Sequence, residues 1–105
     1  MYAHIARARF QPEHSDDVIQ VARDSIDAYR ELAGFVRVTH LYDRASGWGF
    51  ALSTWQTEAD AKAAVIPLAS VTDRFAPYWA EHPSSEPGFF DVIGALPTFE
   101  VVAES

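Results

Sequence analysis

The chain has 105 residues, 49% of them hydrophobic and 13% aromatic, which suits one domain over residues 1–105 with a packed core and argues against disorder. Fifteen acidic side chains against eight basic ones give a formal charge of −7, which repels a phosphate backbone and excludes nucleic acid as the main partner. With no cysteine, disulfides and thiolate metal sites are excluded and the composition fits a reducing cytoplasm.

No apolar run approaches the roughly 18 residues of a membrane span, and Met1 to Arg7 lack the basic-then-apolar layout of a signal peptide. Residues 2–10, YAHIARARF, alternate as a strand, with Tyr2, His4, Ala6, Ala8 and Phe10 on one face, and Pro12 ends it. Ser15 is placed to cap a helix whose first turn carries Asp16 and Asp17. Val18, Ala22, Ile26, Tyr29 and Leu32 recur at helical spacing, and Gly34 stops the helix.

Residues 35–43 and 48–55 are two strands joined by the turn-like Arg44-Ala45-Ser46-Gly47. Thr57 and Asp60 have the spacing of a capping box, predicting a short helix over 58–66 that Pro67 breaks. Ser70 to Asp73 then starts a second helical piece ending near His82-Pro83, and 83–88 form a loop. The last strand, FFDVIGAL, meets Pro97 and resumes as TFEVVA, so it lies at an edge or carries a bulge.

The order β-α-β-β-α-β is the ferredoxin-like α+β arrangement: a four-stranded antiparallel sheet with both helices on one face. The strands are apolar on both faces. Phe50 and Leu52 oppose Ala51 and Trp55, and Val36, Val38 and Tyr42 oppose Phe35 and Leu41. An apolar second face is an interaction surface, and the expected occupant is a second copy, as a homodimer packed sheet to sheet.

Three stretches carry a family likeness: IARARFQP leading into the acidic helix, LAGF before the second strand, and LSTWQTEADAKAA from third strand to second helix. Together they resemble the antibiotic biosynthesis monooxygenase domains of the dimeric α+β barrel superfamily, over about residues 2 to 102. The resemblance implies a homodimer and a pocket between sheet and helices. It implies oxidation of aromatic phenols or quinols by oxygen without flavin, haem or metal, hence no cofactor, the substrate anion itself reducing oxygen. Trp55 matches the Trp the family places at that seam. In the polyketide-oxidising type an Asn stands four residues before it, a Tyr six after and an Arg about twenty after; here those positions hold Ala51, Ala61 and Phe75, with Arg74 adjacent. The haem-degrading members' Trp and His positions fall near Ala64 and Arg74, so that route is not implied.

Trp55 either fills the core or stacks on a flat substrate. His40 shares a strand face with Tyr42, and is either a general base toward a phenol or a hydrogen-bonded structural side chain. Phe75, Tyr78 and Trp79 form a helically spaced aromatic cluster that either packs the core or shapes a substrate site. Arg74 either balances an anionic substrate or pairs at the surface with the Asp73 and Glu81 region. His4 shares its face with Tyr2 and either points into the same space as His40 and Tyr42 or is a satisfied strand side chain, His14 is solvated in a loop, and no His spacing suits a metal.

The functional expectation is a cofactor-independent, monooxygenase-like protein acting on a small aromatic or quinol-type molecule. His40 would be catalytic, with Tyr42, Trp55, Arg74, Phe75, Tyr78 and Trp79 binding substrate. The alternative is a non-catalytic ligand-binding or stress-related module on the same fold.

Overall fold

The computed structural model describes residues 1–84 and 88–93. Strand β1 (Tyr2–Phe10) runs into a single 3-10 turn at Pro12–His14 and helix α1 (Ser15–Arg30). The hairpin β2 (Phe35–Tyr42) and β3 (Trp48–Trp55) follows, then α2 (Glu58–Ala63), α3 (Val65–Phe75), a 3-10 turn at Ala76–Tyr78, β4 (Trp79–Ser84) and β5 (Phe89–Asp91). The sheet is antiparallel in the order β2-β3-β1-β4, and β5 shares the β4 side of β1. Short β4 pairs with Arg7 to Phe10 and β5 with Tyr2 to His4, so two strands divide the edge that one was expected to fill. The α+β architecture is the predicted one, with the helices on one side of the sheet.

Several local expectations are corrected. Ser15 does not cap α1: its hydroxyl donates back to the Pro12 carbonyl at 2.7 Å, and His14 precedes the helix without a side-chain cap. Pro67 does not break a helix. The chain turns at Ala64 and restarts, which puts Pro67 at the third position of α3, where an amide N–H has no intrahelical acceptor to lose. Ser70 accordingly sits inside α3, its hydroxyl bonding back to the Pro67 carbonyl at 3.2 Å. The helical piece expected to reach His82 ends at Phe75; Pro77 enters a 3-10 turn, and Trp79–Ser84 is extended. Sheet pairing with β1 overrides the helical spacing of the aromatics there. Thr57 does cap α2, accepting the Asp60 N–H at 3.1 Å. The expected strand continuation through Leu96 and from Thr98 to Ala103 lies outside the described residues.

Two glycines set the β2–β3 hairpin against β1. Gly47 has φ 82°, and its carbonyl accepts the Phe10 N–H at 2.7 Å; a Cβ there would strike the Phe10 carbonyl. At Gly49 a Cβ would crowd the rings of Phe10 and Tyr42, which lean over it.

The core is asymmetric. Tyr29, Trp55, Ala61 and Ala64 are buried together, with Tyr2, Leu32, Phe35, Val38, Leu68 and Phe89 against them. All of this lies at the end of the sheet where α1 finishes and α2 begins. Helix α1 lies on β2, and α2 lies on β1 and β3, whereas α3 packs chiefly on α1. The opposite face of the sheet carries Leu41, Trp48, Phe50 and Leu52 exposed. A bulge between Phe35 and Arg37 corrects the expected strand phase: Val36 turns to this open face, while Phe35, Val38, His40 and Tyr42 face the helices.

Candidate functional site

Residue rows running across the covered face build the site. Strand pairing aligns Tyr42, Gly49 and Ala8 in one row, His40, Ala51 and Ala6 in the next, and Val38, Ser53 and His4 in the third. The middle row is His40 beside two alanines. Ala6, Ala8 and Ala51 keep partial exposure although they sit on the covered face of interior strands. With α3 held on α1 above them, these small side chains leave the covered face incompletely filled along this row, and His40 ends the row.

His40 carries the clearest polar feature. Its Nε2 is shut off from solvent and has no hydrogen-bond partner, the only buried side-chain nitrogen or oxygen in that state among the described residues. Leaving such a group unpaired costs about 1–3 kcal/mol, so its retention asks for an explanation. Burial disfavours the imidazolium and lowers the pKa below its ordinary 6.5, keeping the ring neutral at neutral pH. The Tyr29 ring meets the imidazole edge-on, centroids 6.1 Å apart.

Behind this pair sits Trp55, 1% exposed, its rings against Phe35 at 5.6 Å and Tyr29 at 6.5 Å. Its indole N–H donates to the Ser53 hydroxyl at 3.0 Å, and Ser53 in turn reaches the His4 carbonyl at 3.4 Å. In this arrangement Trp55 presents no open face; it holds the floor and backs Tyr29.

Tyr42 belongs to the row nearest the β2–β3 turn. Because the Ser15 hydroxyl spends its proton on the Pro12 carbonyl, Tyr42 donates to Ser15 Oγ at 2.8 Å and keeps only acceptor capacity toward anything else. Phe10 links Tyr42, at 6.2 Å, with Phe75, at 5.5 Å, in one aromatic group. Tyr78 stacks instead near His14, at 5.5 Å, so His14 is half-covered rather than free in a loop. Trp79 pairs with Phe10 in the β1–β4 ladder, and its carbonyl accepts from Gln11 at 3.0 Å. Arg74 is half-exposed and lies 4.0 Å from Asp24 on α1, while Glu81 pairs with Arg9. The residues singled out in sequence thus divide: His40 and Trp55 lie around Tyr29, Tyr42 and Phe75 around Phe10 with Trp79 paired to it in the ladder, while Tyr78 lies by His14 and Arg74 near Asp24. Tyr29 and Ser53 were not singled out, because a Tyr on an apolar helical stripe and a Ser in a strand carry no signal of their own.

His4 also faces inward, 4.6 Å from the Phe89 ring, and burial lowers its pKa as well. The unfolded chain protonates both imidazoles near pH 6.5, whereas the folded chain resists. Unfolding therefore takes up protons below that pH, and the stability present above it is lost as pH falls toward the two folded values. Thermal melts from pH 7 down to 5 should fall less steeply for a His4→Gln/His40→Gln variant than for the wild type; parallel curves would show that neither imidazole is held neutral by the fold. Among the described residues no three His, Asp or Glu side chains converge as a metal site, and no helix is long and apolar enough to cross a membrane.

No family model matches the sequence, and no curated protein matches it. Solved structures do match in fold. A protein of unknown function from Nitrosomonas europaea superposes with a TM-score of 0.74 at 15% identity, covering 98% of this chain and 95% of its own. SnoaB, described as a cofactor-independent oxygenase from Streptomyces nogalater, gives 0.69 at 15% identity over 91% and 96%. A structure described as an antibiotic biosynthesis monooxygenase gives 0.70 at 15% identity over 90% and 100%. The likeness read from the sequence is thus met at the level of the fold: this chain has the architecture of the antibiotic biosynthesis monooxygenase structures.

Proposed function

We propose that the protein is a cofactor-independent monooxygenase acting on a small aromatic phenol, quinol or anthrone bound in a hollow between sheet and helices. The observation that carries this reading is the neutral, unpartnered Nε2 of His40 beside a floor of alanines. With its proton on Nδ1, His40 is a base that can take a phenolic or anthrone proton into a dry site. The resulting electron-rich carbanion or phenolate reduces oxygen. For an anthrone the balance is one CH₂ plus one O₂ giving one carbonyl plus one water, with the transferred proton returned in the water formed. The described fold of SnoaB supports this class of chemistry. Phe10, Phe75 and Tyr42 line the far end in this reading, and Trp55 acts as structural backing rather than as a stacking surface.

Oxygen uptake with a panel of quinols and anthrones tests it. Uptake should exceed the uncatalysed rate and drop about a hundredfold to ten-thousandfold in His40→Gln, in line with the usual contribution of a general base. Ala51 and Ala61, standing where polar side chains serve the polyketide-oxidising type, favour a second reading as a non-catalytic binding module. Ligand binding without uptake would select that reading, and absence of both would overturn the site.

We also propose that the working unit is a homodimer closed through the open sheet face, in the cytoplasm. Leu41, Trp48, Phe50 and Leu52 are 54%, 40%, 38% and 36% exposed, and the Trp48 and Phe50 rings stack at 6.5 Å as one apolar surface. Such a surface on an otherwise strongly acidic chain is costly to leave in water.

A further inference from the structure

Helix α1 contributes a polar group beside His40, and this inference rests on the reading just given. Tyr29 is 6% exposed, and its ring is fixed on three sides by Phe35 at 5.8 Å, His40 at 6.1 Å and Trp55 at 6.5 Å. Those are its aromatic contacts among the described residues, and its hydroxyl makes no hydrogen bond there. Unlike His40 Nε2, that oxygen is not sealed from solvent. Two neighbouring rings from different elements, one on α1 and one on β2, therefore each present a polar atom that the protein itself leaves unpaired.

Their hydrogen-bonding characters are complementary. A neutral imidazole with its proton on Nδ1 accepts at Nε2, and a phenol donates. Burial raises the Tyr29 pKa, so its proton stays in place at neutral pH. We propose that Tyr29 and His40 clamp a single aryl hydroxyl of the substrate, which donates to His40 Nε2 and accepts from the Tyr29 hydroxyl. When His40 takes the proton, the aryl oxygen becomes an anion held by two donors, the Tyr29 O–H and the new Nε2–H. The clamp selects ligands with a free phenolic hydroxyl and rejects their methyl ethers, which cannot donate and would leave Nε2 buried and unpaired.

The test uses para-nitrophenol and its methyl ether, para-nitroanisole, with the wild type and Tyr29→Phe. The phenylalanine keeps the ring that packs on Trp55 and Phe35, so a parallel melt checks that folding is unchanged. The wild type should prefer the phenol over the ether. The spectrum of bound nitrophenol should show the phenolate-to-phenol ratio falling about tenfold to a hundredfold in Tyr29→Phe, the usual span for a hydrogen bond to a charged group. Equal affinity of the wild type for phenol and ether, or an unmoved phenolate ratio in Tyr29→Phe, would overturn the clamp and leave the hollow as a binding site. If neither compound binds the wild type, the hollow reading and the clamp fall together. A Tyr29→Phe variant that loses phenol and ether binding equally would also overturn the clamp, assigning Tyr29 a shape role only.

Discussion

Replacing Trp55 by alanine is expected to remove about 3–5 kcal/mol of folding stability, the range for emptying a large aromatic site in a core. Domains of this size hold only about 5–15 kcal/mol in total, so the variant should sit near the edge of folding at room temperature. The reason is geometric. Trp55 is 1% exposed at the end of β3, and Tyr29 and Phe35 lean on its ring while Ala61 and Ala64 of the α2 end close over it. None of the small neighbours can swing in to fill the space it leaves. Ser53 would also lose its indole donor, which lies 3.0 Å away. A Trp55→Phe variant should cost less, chiefly the hydrogen bond and part of the volume. Urea unfolding followed by circular dichroism would read both; a midpoint for Trp55→Ala close to the wild type would show that the Trp is not the keystone of this end of the sheet. Because Tyr29 rests on Trp55, the alanine variant should also lose any phenol selectivity, whereas Trp55→Phe should keep most of it.

Phe50→Glu is expected to leave the fold intact and to convert the proposed homodimer into a monomer. The side chain is 38% exposed on the open face and contributes little to the protomer's own core. In a two-fold interface each substitution acts twice. Burial of a Phe contributes about 1.5–3 kcal/mol, so two copies remove about 3–6 kcal/mol before repulsion between the new carboxylates is added. That corresponds to a dissociation constant raised about a hundredfold to ten-thousandfold. Sedimentation velocity at micromolar concentration separates the outcomes. A wild type that sediments as a monomer would overturn the sheet-to-sheet dimer outright. A dimeric Phe50→Glu variant with unchanged affinity would place the interface elsewhere. Arg7 and Arg9 share the exposed strand face with this patch, so the same experiment at higher salt would show whether charge at the rim contributes.

What the chain's local order determined by itself is what a single period can carry. Alternation in Tyr2 to Phe10 placed His4, Ala6 and Phe10 on one face of β1, and the stripe from Val18 to Tyr29 placed the buried side of α1. Turn chemistry at Asp43 to Gly47 closed the hairpin: the Asp43 carboxylate accepts the Ser46 hydroxyl at 2.6 Å, and the exposed carboxyl's pKa is lowered chiefly by that bond. The Thr57 cap placed the start of α2. Those features depend on neighbours within a turn or two, so they were legible.

The segment from Val65 to Ser84 was not. Pro67 reads as a break in isolation, yet it is harmless once Ala64 resets the helix and gives it an early position. Phe75, Tyr78 and Trp79 have helical spacing, but pairing with β1 draws Trp79 into the sheet edge. The phase of β2 needed the bulge at Val36, which no periodicity announces. The site itself is tertiary: Tyr29 and His40 are 11 residues apart in sequence, on a helix and a strand with a turn between. Only the crossing of α1 over β2 brings their rings together, and only packing can bury a nitrogen and leave it unpaired.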